Sequence, residues 1–169
     1  MDKKLKNLAA ALILAVTAAS VLFLFNGTKS RWPVMVLPAL ATAEAAVSTE
    51  TFASEPAVIN FWASWCVACR EEHALLQQMS NEDGMRVFGV NHLDKRDDAL
   101  RWLRYFGDPY ENSVYDAEGK VGSLLDVDAL PVSLVIDAQG VIHYRHRGPL
   151  DVATVETIIR PLVEDLRRK

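Results

Sequence analysis

Two cysteines are the residues of this sequence best suited to chemistry. Cys66 and Cys69 are the only cysteines among the 169 residues, and two residues separate them. A disulfide-stapled secreted domain carries more cysteines at wider spacings. A bridge across so short a loop would constrain the unfolded chain little, and would therefore stabilise the fold little. The spacing indicates a chemical role, for which redox exchange and metal binding are the main options.

The surrounding sequence predicts where the two cysteines lie in the fold. Residues 57–62 form a mostly apolar run of the length of a buried strand, and a partly periodic apolar pattern predicts a helix from about Cys66 to Ser80. Cys66 would begin this helix, where free N–H groups and the dipole favour an anion and lower the pKa of a thiol. Cys69, one turn later, could attack a mixed disulfide at Cys66. We therefore predict a redox-active disulfide with Cys66 as nucleophile, Cys69 as resolving thiol and no cofactor.

Other uses of a Cys-x-x-Cys pair leave different signatures. Covalent haem attachment requires a histidine directly after the second cysteine, and this chain has Arg70 there. A zinc site needs two further ligands. His73 would share the helix face of Cys69, so a metal-handling module that uses Cys66, Cys69 and His73 stays open as an alternative, although we expect no metal site.

The rest of the chain alternates short apolar runs with helical patterns. The predicted strands are residues 34–37, 47–49, 57–62, 86–91, 113–115, 132–136 and 141–146. The predicted helices after the first are residues 97–106, a helical turn at 121–125, and 152–168 with an interruption at Pro161. This order predicts an α/β sandwich with a mixed β-sheet, formed by residues 30–169.

Several side chains near the cysteines have simpler interpretations than catalysis. We expect Trp62 to pack in the core, because burying such a ring is strongly favourable. Trp65 is expected either to shield the site or to contact the partner. Glu71, Glu72 and His73 are interpreted as a solvated face of the helix. A partner contact or a proton relay is the alternative, since histidine titrates near neutrality.

The first 29 residues predict a basic cytoplasmic start and a membrane anchor. Three lysines among the first six residues precede an uninterrupted run of 18 apolar or small residues, Leu8 to Phe25. At 1.5 Å per residue such a run spans roughly 27 Å, just enough for a hydrocarbon core of about 30 Å. The lysines predict a single-pass protein of the inner membrane with its catalytic domain on the periplasmic side. A cleaved signal peptide is the alternative, but its small-x-small site at residues 41–43 lies far beyond the run.

The charge of the body excludes one class of partner. From residue 30 onward the chain carries 14 Lys or Arg against 21 Asp or Glu, a net charge of about −7. An acidic domain is poorly suited to nucleic acid, whose phosphates select basic surfaces. We expect protein thiols and disulfides as partners, and no nucleic acid.

The segment that leads into the cysteines resembles a known signature. Phe61-Trp62-Ala63-Ser64-Trp65-Cys66-x-x-Cys69 resembles the signature of thioredoxin-like proteins, which implies their three-layer sandwich. The resemblance also implies a cis peptide bond before Pro131, which would bring Leu130 and its backbone alongside the cysteines, where a substrate chain can pair with it. Trp65, Leu130 and Pro131 are the predicted partner contacts.

Longer stretches from Val34 onward are similar to one branch of these proteins, the cytochrome-c-biogenesis thiol:disulfide interchange proteins of the DsbE/CcmG type. The stretches are CREEH at 69–73, GVN at 89–91 followed by 97–107, DPY at 108–110, DAEGKVG at 116–122 and HRGPL at 146–150. This resemblance implies reduction of the cysteines of apocytochrome c, or of a carrier protein, before haem is attached. It also implies electrons from an inner-membrane thiol donor.

The sequence departs from that branch at the site itself. Val132 stands where the branch commonly has a glutamate after the cis-proline, and Val67-Ala68 replaces a proline-containing pair. Asn60 occupies the position of thioredoxin's buried aspartate, and an amide can hydrogen-bond but cannot serve as a base. The missing glutamate favours a general extracytoplasmic thioredoxin-like disulfide reductase as the alternative function. An oxidase is a further alternative.

Overall fold

The structure, a computed structural model, describes residues 30–169. Leu8 to Phe25, on which the predicted anchor rests, lies outside the described residues, so the anchor and the division of the chain at residue 30 stay predictions. Between residues 30 and 169, no helix combines the length and the apolar character needed to cross a bilayer.

Seven strands and five α-helices make up the described chain. The strands are β1 (Val36–Pro38), β2 (Ala46–Ser48), β3 (Ala57–Trp62), β4 (Val87–His92), β5 (Asn112–Asp116), β6 (Val132–Ile136) and β7 (Ile142–Arg147). The α-helices are α1 (Val67–Asn81), α2 (Arg96–Phe106), α3 (Lys120–Leu124), α4 (Val152–Thr154) and α5 (Arg160–Arg167). A 3-10 turn at Thr49–Ala53 and a π-helical turn at Val155–Ile159 complete the set.

Five of the strands form a central sheet in the order β5-β4-β3-β6-β7. Strand β3 pairs in parallel with β4 and antiparallel with β6, so the sheet is mixed, as predicted. Since β3 and β4 are parallel, their carboxyl ends meet at the same edge of the sheet. Strand β6 begins at that edge too, because Val132 lies opposite Phe61 in the β3–β6 pair.

Alternate side chains of β3 face two separate apolar cores. Val58 and Trp62 pack on one side with residues of α1, α2 and α5. Ile59 and Phe61 pack on the other side with α3 and the 3-10 turn. All six residues of β3 are buried, as expected for a central strand that reads as one apolar run. Helices cover both faces of the sheet, which confirms the three-layer sandwich.

The closing helical segment is interrupted next to Pro161, as predicted. The π-helical turn separates α4 from α5, and Pro161 lies in the first turn of α5. Proline has no N–H and its ring clashes with the preceding turn, so a regular α-helix is disfavoured there. A single widened turn takes up the mismatch without ending the helical path.

The hairpin of β1 and β2 is tied to the outer strand of the sheet. Ala39 forms an antiparallel bridge with Val114 of β5, and the N–H of Leu40 donates to the carbonyl of Ser113 at 2.9 Å. Arg96, at the start of α2, donates to the carbonyls of Ala39 and Leu40. The segment after β1 therefore contacts both β5 and the start of α2, which directly follows the loop after β4.

Candidate active site

The two cysteines form a disulfide at the N-terminus of α1, with their Cα atoms 5.3 Å apart. Cys66 is the N-cap residue in an extended conformation, and its Sγ accepts a hydrogen bond of 3.1 Å from the N–H of Cys69. Cys66 is the more accessible of the two, 6% exposed against 2% for Cys69. The predicted position at the helix start is confirmed, and the same N–H groups would stabilise a thiolate at Cys66 after reduction.

Residues 63–65, which connect β3 to α1, are held by the loop after β4. The N–H and the hydroxyl of Ser64 both donate to the carboxylate of Asp94, at 2.6 and 2.8 Å. The indole Nε1 of Trp65 donates to the carbonyl of Leu93 at 3.0 Å, while 59% of Trp65 remains exposed. The residue before Cys66 therefore presents an apolar ring to solvent in a fixed orientation.

The loop after β4 is itself held in place through His92, the residue before Leu93. Leu93 has a left-handed φ of 49°. The Nδ1 of buried His92 lies 2.9 Å from the carboxylate of Asp116, and this carboxylate also accepts the N–H groups of Val121 and Gly122 at 3.1 Å. Burial raises the pKa of Asp116, but the bonds from His92 and the two N–H groups outweigh burial, so the pKa lies below its usual value.

Glu72 is fully buried, which corrects its predicted place on a solvated helix face. Its Oε1 accepts from the Nδ2 of Asn60 and its Oε2 from the N–H of Leu150, both at 2.7 Å. Burial raises the pKa of Glu72 from 4.5 to about 7, against the lowering effect of these two bonds. The prediction was wrong because the partners lie outside the helix, 12 positions before Glu72 in β3 and 78 positions after it at Leu150. Glu72 follows Cys69 by one helical turn, so a buried acid that titrates near neutrality shares its helix face.

Asn60 is the centre of the buried network around Glu72. Its Oδ1 accepts the hydroxyl of Tyr110 at 2.8 Å, and its Nδ2 also donates to the hydroxyl of Ser133 at 3.1 Å. Burial raises the pKa of Tyr110 well above its usual value, and the charges of Glu72 and Asp108 raise it further. The phenol therefore stays protonated and fixes the orientation of the amide. Asn60 acts through hydrogen bonds and not as a base, in agreement with its chemistry.

The peptide bond between Leu130 and Pro131 is cis, as the resemblance implied. Pro131 directly precedes β6 and therefore lies at the edge of the sheet where β3 leads into the cysteines. Val132 is fully buried opposite Phe61 and brings no carboxyl group to this edge. Contact of Leu130 and Pro131 with a partner stays a prediction.

His73 is buried as well, which corrects the second part of the same prediction; only Glu71 of the three residues is exposed. The Nε2 of His73 lies 3.0 Å from the carbonyl of Gly107, and its ring packs edge-on against Trp102. Burial lowers the pKa of His73, against the raising effect of backbone carbonyls at the end of α2. Nowhere in residues 30–169 do three or more His, Cys, Asp or Glu side chains come together as metal ligands. His73 thus joins α1 to α2, and the described residues do not support the metal-handling alternative.

Comparison with known proteins identifies the family. The redoxin family profile matches residues 26–159. The chain is 37% identical over 131 residues to the thiol:disulfide interchange protein DsbE of Allochromatium vinosum, which is 78% of this chain and 72% of that protein. The chain belongs to the redoxin family and, within it, to the DsbE type.

Further DsbE relatives and solved structures agree with this assignment. The DsbE of Escherichia coli K12 is 43% identical over 110 residues, 65% of this chain but only 59% of that protein. A putative DsbE of Chlorobium tepidum superimposes with a TM-score of 0.67 at 26% identity, over 80% of this chain and 96% of that one. A secreted thiol-disulfide isomerase of Corynebacterium glutamicum, 24% identical, shares the fold with a TM-score of 0.69 over 79% of this chain and 85% of its own. The thioredoxin-like fold is confirmed, and this DsbE-type chain is a protein thiol–disulfide oxidoreductase.

The DsbE-type site of this chain includes residues to which sequence reasoning gave no role. Leu93 and Asp94 hold residues 64 and 65, and Tyr110 orients Asn60. A signal for the first two was present, because residues that follow two neighbouring parallel strands lie at one edge of the sheet. Tyr110 belongs to the stretch DPY at 108–110 that carries the resemblance, but its contact with Asn60 spans 50 positions and has no local signal.

Proposed function

We propose that this DsbE-type protein reduces the disulfide of apocytochrome c, or of a protein that carries it, before haem is attached. The observation that carries the proposal is the position of Cys66, which is the N-cap of α1, the more accessible cysteine, and the neighbour of the exposed ring of Trp65. The resemblance to the cytochrome-c-biogenesis branch supports the choice of substrate.

In this proposal the thiolate of Cys66 attacks one sulfur of the substrate disulfide. A bond forms between Cys66 and the attacked sulfur, the substrate S–S bond breaks, and the other substrate sulfur leaves as a thiolate. Cys69 then loses its proton and attacks the Sγ of Cys66, which releases the second substrate thiolate and forms the Cys66–Cys69 bond. Two electrons pass to the substrate, and the two protons of the protein dithiol balance its two new thiols.

Glu72 supports the second attack. Its carboxyl group has a pKa of about 7 and follows Cys69 by one turn of α1. A group with this pKa can take a proton from the Cys69 thiol and release it again near neutral pH. Asn60 and the N–H of Leu150 hold the two carboxyl oxygens in place while the charge changes.

The dithiol must be regenerated after each turnover, and the proposed location determines how. The lysines before Leu8 to Phe25 support an uncleaved anchor in the inner membrane, with residues 30–169 on the periplasmic side. Thiols in that compartment are oxidised unless electrons are delivered to them. A thiol donor in the inner membrane would therefore return two electrons to the Cys66–Cys69 disulfide.

One observation favours a second candidate, a general extracytoplasmic disulfide reductase. Val132 replaces the glutamate common in the cytochrome branch, and its full burial leaves this edge of the sheet without that carboxylate. A site that lacks this charge discriminates less between substrates by electrostatics.

A trapping experiment separates the two candidates. In the full-length Cys69→Ala variant the first attack proceeds but the mixed disulfide cannot be resolved, so substrates stay bound to Cys66 and can be identified by mass spectrometry. Recovery of apocytochrome c or its carrier is the expected result, whereas a broad set of exported proteins would select the general reductase. The Cys66→Ser, Cys69→Ala double variant is the control and should trap nothing. A reduction potential above about −150 mV would instead indicate an oxidase.

A further inference from the structure

Leu93 combines two features that a stable fold does not require. Its φ of 49° is a left-handed conformation that residues with a Cβ adopt at a steric cost, and that glycine or asparagine adopts more readily. Its side chain is also 53% exposed, although it is a large apolar group. An observed backbone outlier beside a reactive centre is a reason to look for function.

The structural contacts of Leu93 are made by its backbone. Its N–H donates to the carbonyl of Asp116 at 3.1 Å, and its carbonyl accepts the indole N–H of Trp65 at 3.0 Å. The side chain rests on the turn at Gly119, which has no Cβ to displace it. Any residue that tolerates the left-handed conformation could make the two backbone bonds, so the leucine side chain itself remains unexplained by the fold.

The exposed side of Leu93 belongs to a hollow beside the reactive disulfide. The hollow has a volume of about 420 Å³, and Leu93 and Trp65 are its two large apolar side chains. The other lining residues are Ser64, Asp94, Lys95, Asp98 and Ala117. Trp65 directly precedes Cys66, so the hollow lies beside the residue whose sulfur forms the mixed disulfide with a substrate.

We propose that Leu93 is a specificity-determining contact: with Trp65 it forms the apolar wall of a hollow that receives an apolar side chain of the polypeptide attached to Cys66. The occupant is the protein substrate, because attachment to Cys66 places its chain next to the hollow. The inference rests on the proposed reductase function and deepens it. It assigns to the enzyme a preference for disulfides that have an apolar residue close to the reactive cysteine.

The test compares three disulfide probes reduced by the full-length dithiol protein in stopped-flow experiments. Two are cyclic peptides with the same Cys-x-x-Cys core, one flanked by leucines and one by serines, and the third is oxidised glutathione. In Leu93→Asn, which keeps side-chain size and tolerates the left-handed backbone, the second-order rate constant for the leucine-flanked peptide should fall about tenfold. The rate constants for the other two probes should fall much less, so that the loss is specific to the leucine-flanked peptide.

Two further variants separate the side chain from the backbone. Leu93→Gly should show the same loss on the leucine-flanked peptide while its Tm equals or exceeds that of the parent, because glycine relieves the left-handed strain. Asp126→Gly is the matched control, since Asp126 has a φ of 51° and does not line the hollow. It should leave all three rate constants unchanged.

Several results would overturn the inference. An unchanged rate of Leu93→Asn on the leucine-flanked peptide would remove the contact, and an equal loss on all three probes would assign Leu93 to the positioning of Cys66. A shift in the sedimentation of Leu93→Asn from dimer to monomer would make a second copy of the chain the occupant. If the parent protein reduces none of the probes, the proposed reductase function fails first.

Discussion

At the scale of single residues, Glu72 has an environment unlike that of a surface acid. It has no contact with solvent, and an amide and a backbone N–H donate to its two oxygens. These donors favour the ionised form, whereas burial favours the neutral form, and burial prevails. The group therefore changes charge in the pH range in which the enzyme is proposed to work.

Glu72 should make the stability of the protein depend on pH. Its pKa is about 7 in the folded state against 4.5 for an ordinary glutamate, so the folded state holds the proton more tightly. The stabilisation is fully present below pH 4.5 and is lost as the pH rises through 7, by at most about 3 kcal/mol. Urea unfolding of the full chain between pH 4 and 8 measures this loss.

Glu72→Gln isolates the contribution of this one carboxyl group. Subtracting its unfolding free energy from that of the parent should give a difference that falls between pH 4.5 and 7. His73, whose lowered pKa acts in the opposite direction below pH 6.5, is present in both proteins and cancels. A difference that does not vary with pH would contradict the assignment.

Tyr110 should stabilise the buried network through its hydroxyl group. Tyr110→Phe keeps the ring stacked near Trp62 but leaves the Oδ1 of Asn60 without its donor. An unpaired buried acceptor costs about 1–3 kcal/mol, measured as a loss of unfolding free energy in urea. Tyr105→Phe is the control, because Tyr105 is 81% exposed and the same change should have no effect there. Equal effects of the two changes would rule out a special role for Tyr110.

At the scale of elements, the ends of two neighbouring parallel strands build the approach to the cysteines. The segment after β3 carries Ser64 and Trp65, and the segment after β4 carries the groups that hold them. The carboxylate of Asp94 also accepts the side-chain amide of Asn91 and the N–H of Lys95. One carboxylate therefore joins both loops, so the position of Cys66 depends on β4 as well as on its own helix.

Asp94→Ala should loosen the approach loop. The N–H and hydroxyl of Ser64 lose their acceptor, at a cost of about 2 kcal/mol in unfolding free energy. The amide of Ser64 should exchange with deuterium at least about tenfold faster, because its local opening is no longer opposed by this bond. Asp97→Ala, at an exposed aspartate in the first turn of α2, should leave that exchange rate unchanged. A protected Ser64 amide in Asp94→Ala would show that the loop is held by other contacts.

The sequence predicts those features that neighbouring residues determine, and it fails for those that depend on contacts far along the chain. Strands β3 and β6 have the predicted bounds, because a central strand is a continuous apolar run. The position of the cysteines is predicted by the Cys-x-x-Cys motif, because its spacing places the two residues one helical turn apart. Glu72 and His73 were misplaced because their partners lie 78 and 34 positions away, where helix periodicity has no information. To predict that Asp94 binds Ser64, one must know the order of the strands in the sheet as well as the apolar pattern of each strand.

At the scale of the whole molecule, the apolar groups form the interior, and the charged groups give the surface a negative net charge. The apolar groups lie in two cores on either side of the sheet, with the disulfide in the same core as α1. The body from residue 30 onward has a net charge of about −7. Such a surface repels anionic polypeptides and attracts cationic ones over distances of a Debye length.

The net charge should appear in the rates with charged substrates. At 20 mM salt, a disulfide peptide flanked by lysines should be reduced several-fold faster than the same peptide flanked by glutamates. Raising the salt to 500 mM should bring the two rates together, because screening removes the long-range attraction. Stopped-flow rates with the full-length dithiol protein measure both effects. A rate ratio that is independent of salt would mean that local contacts, and not the net charge, govern the difference.

The bond from the N–H of Leu150 to Glu72 has a consequence for biosynthesis. The cysteine helix is translated long before Leu150, which is 78 residues downstream of its acceptor. A nascent chain that has emerged only as far as β6 already contains the Cys-x-x-Cys pair and Asn60, but its Glu72 has one of its two donors. The hydrogen bonds of Glu72 are therefore complete only after Leu150 has been translated. Chains truncated before Leu150 would carry both cysteines, but their Glu72 would lack one of its two donors.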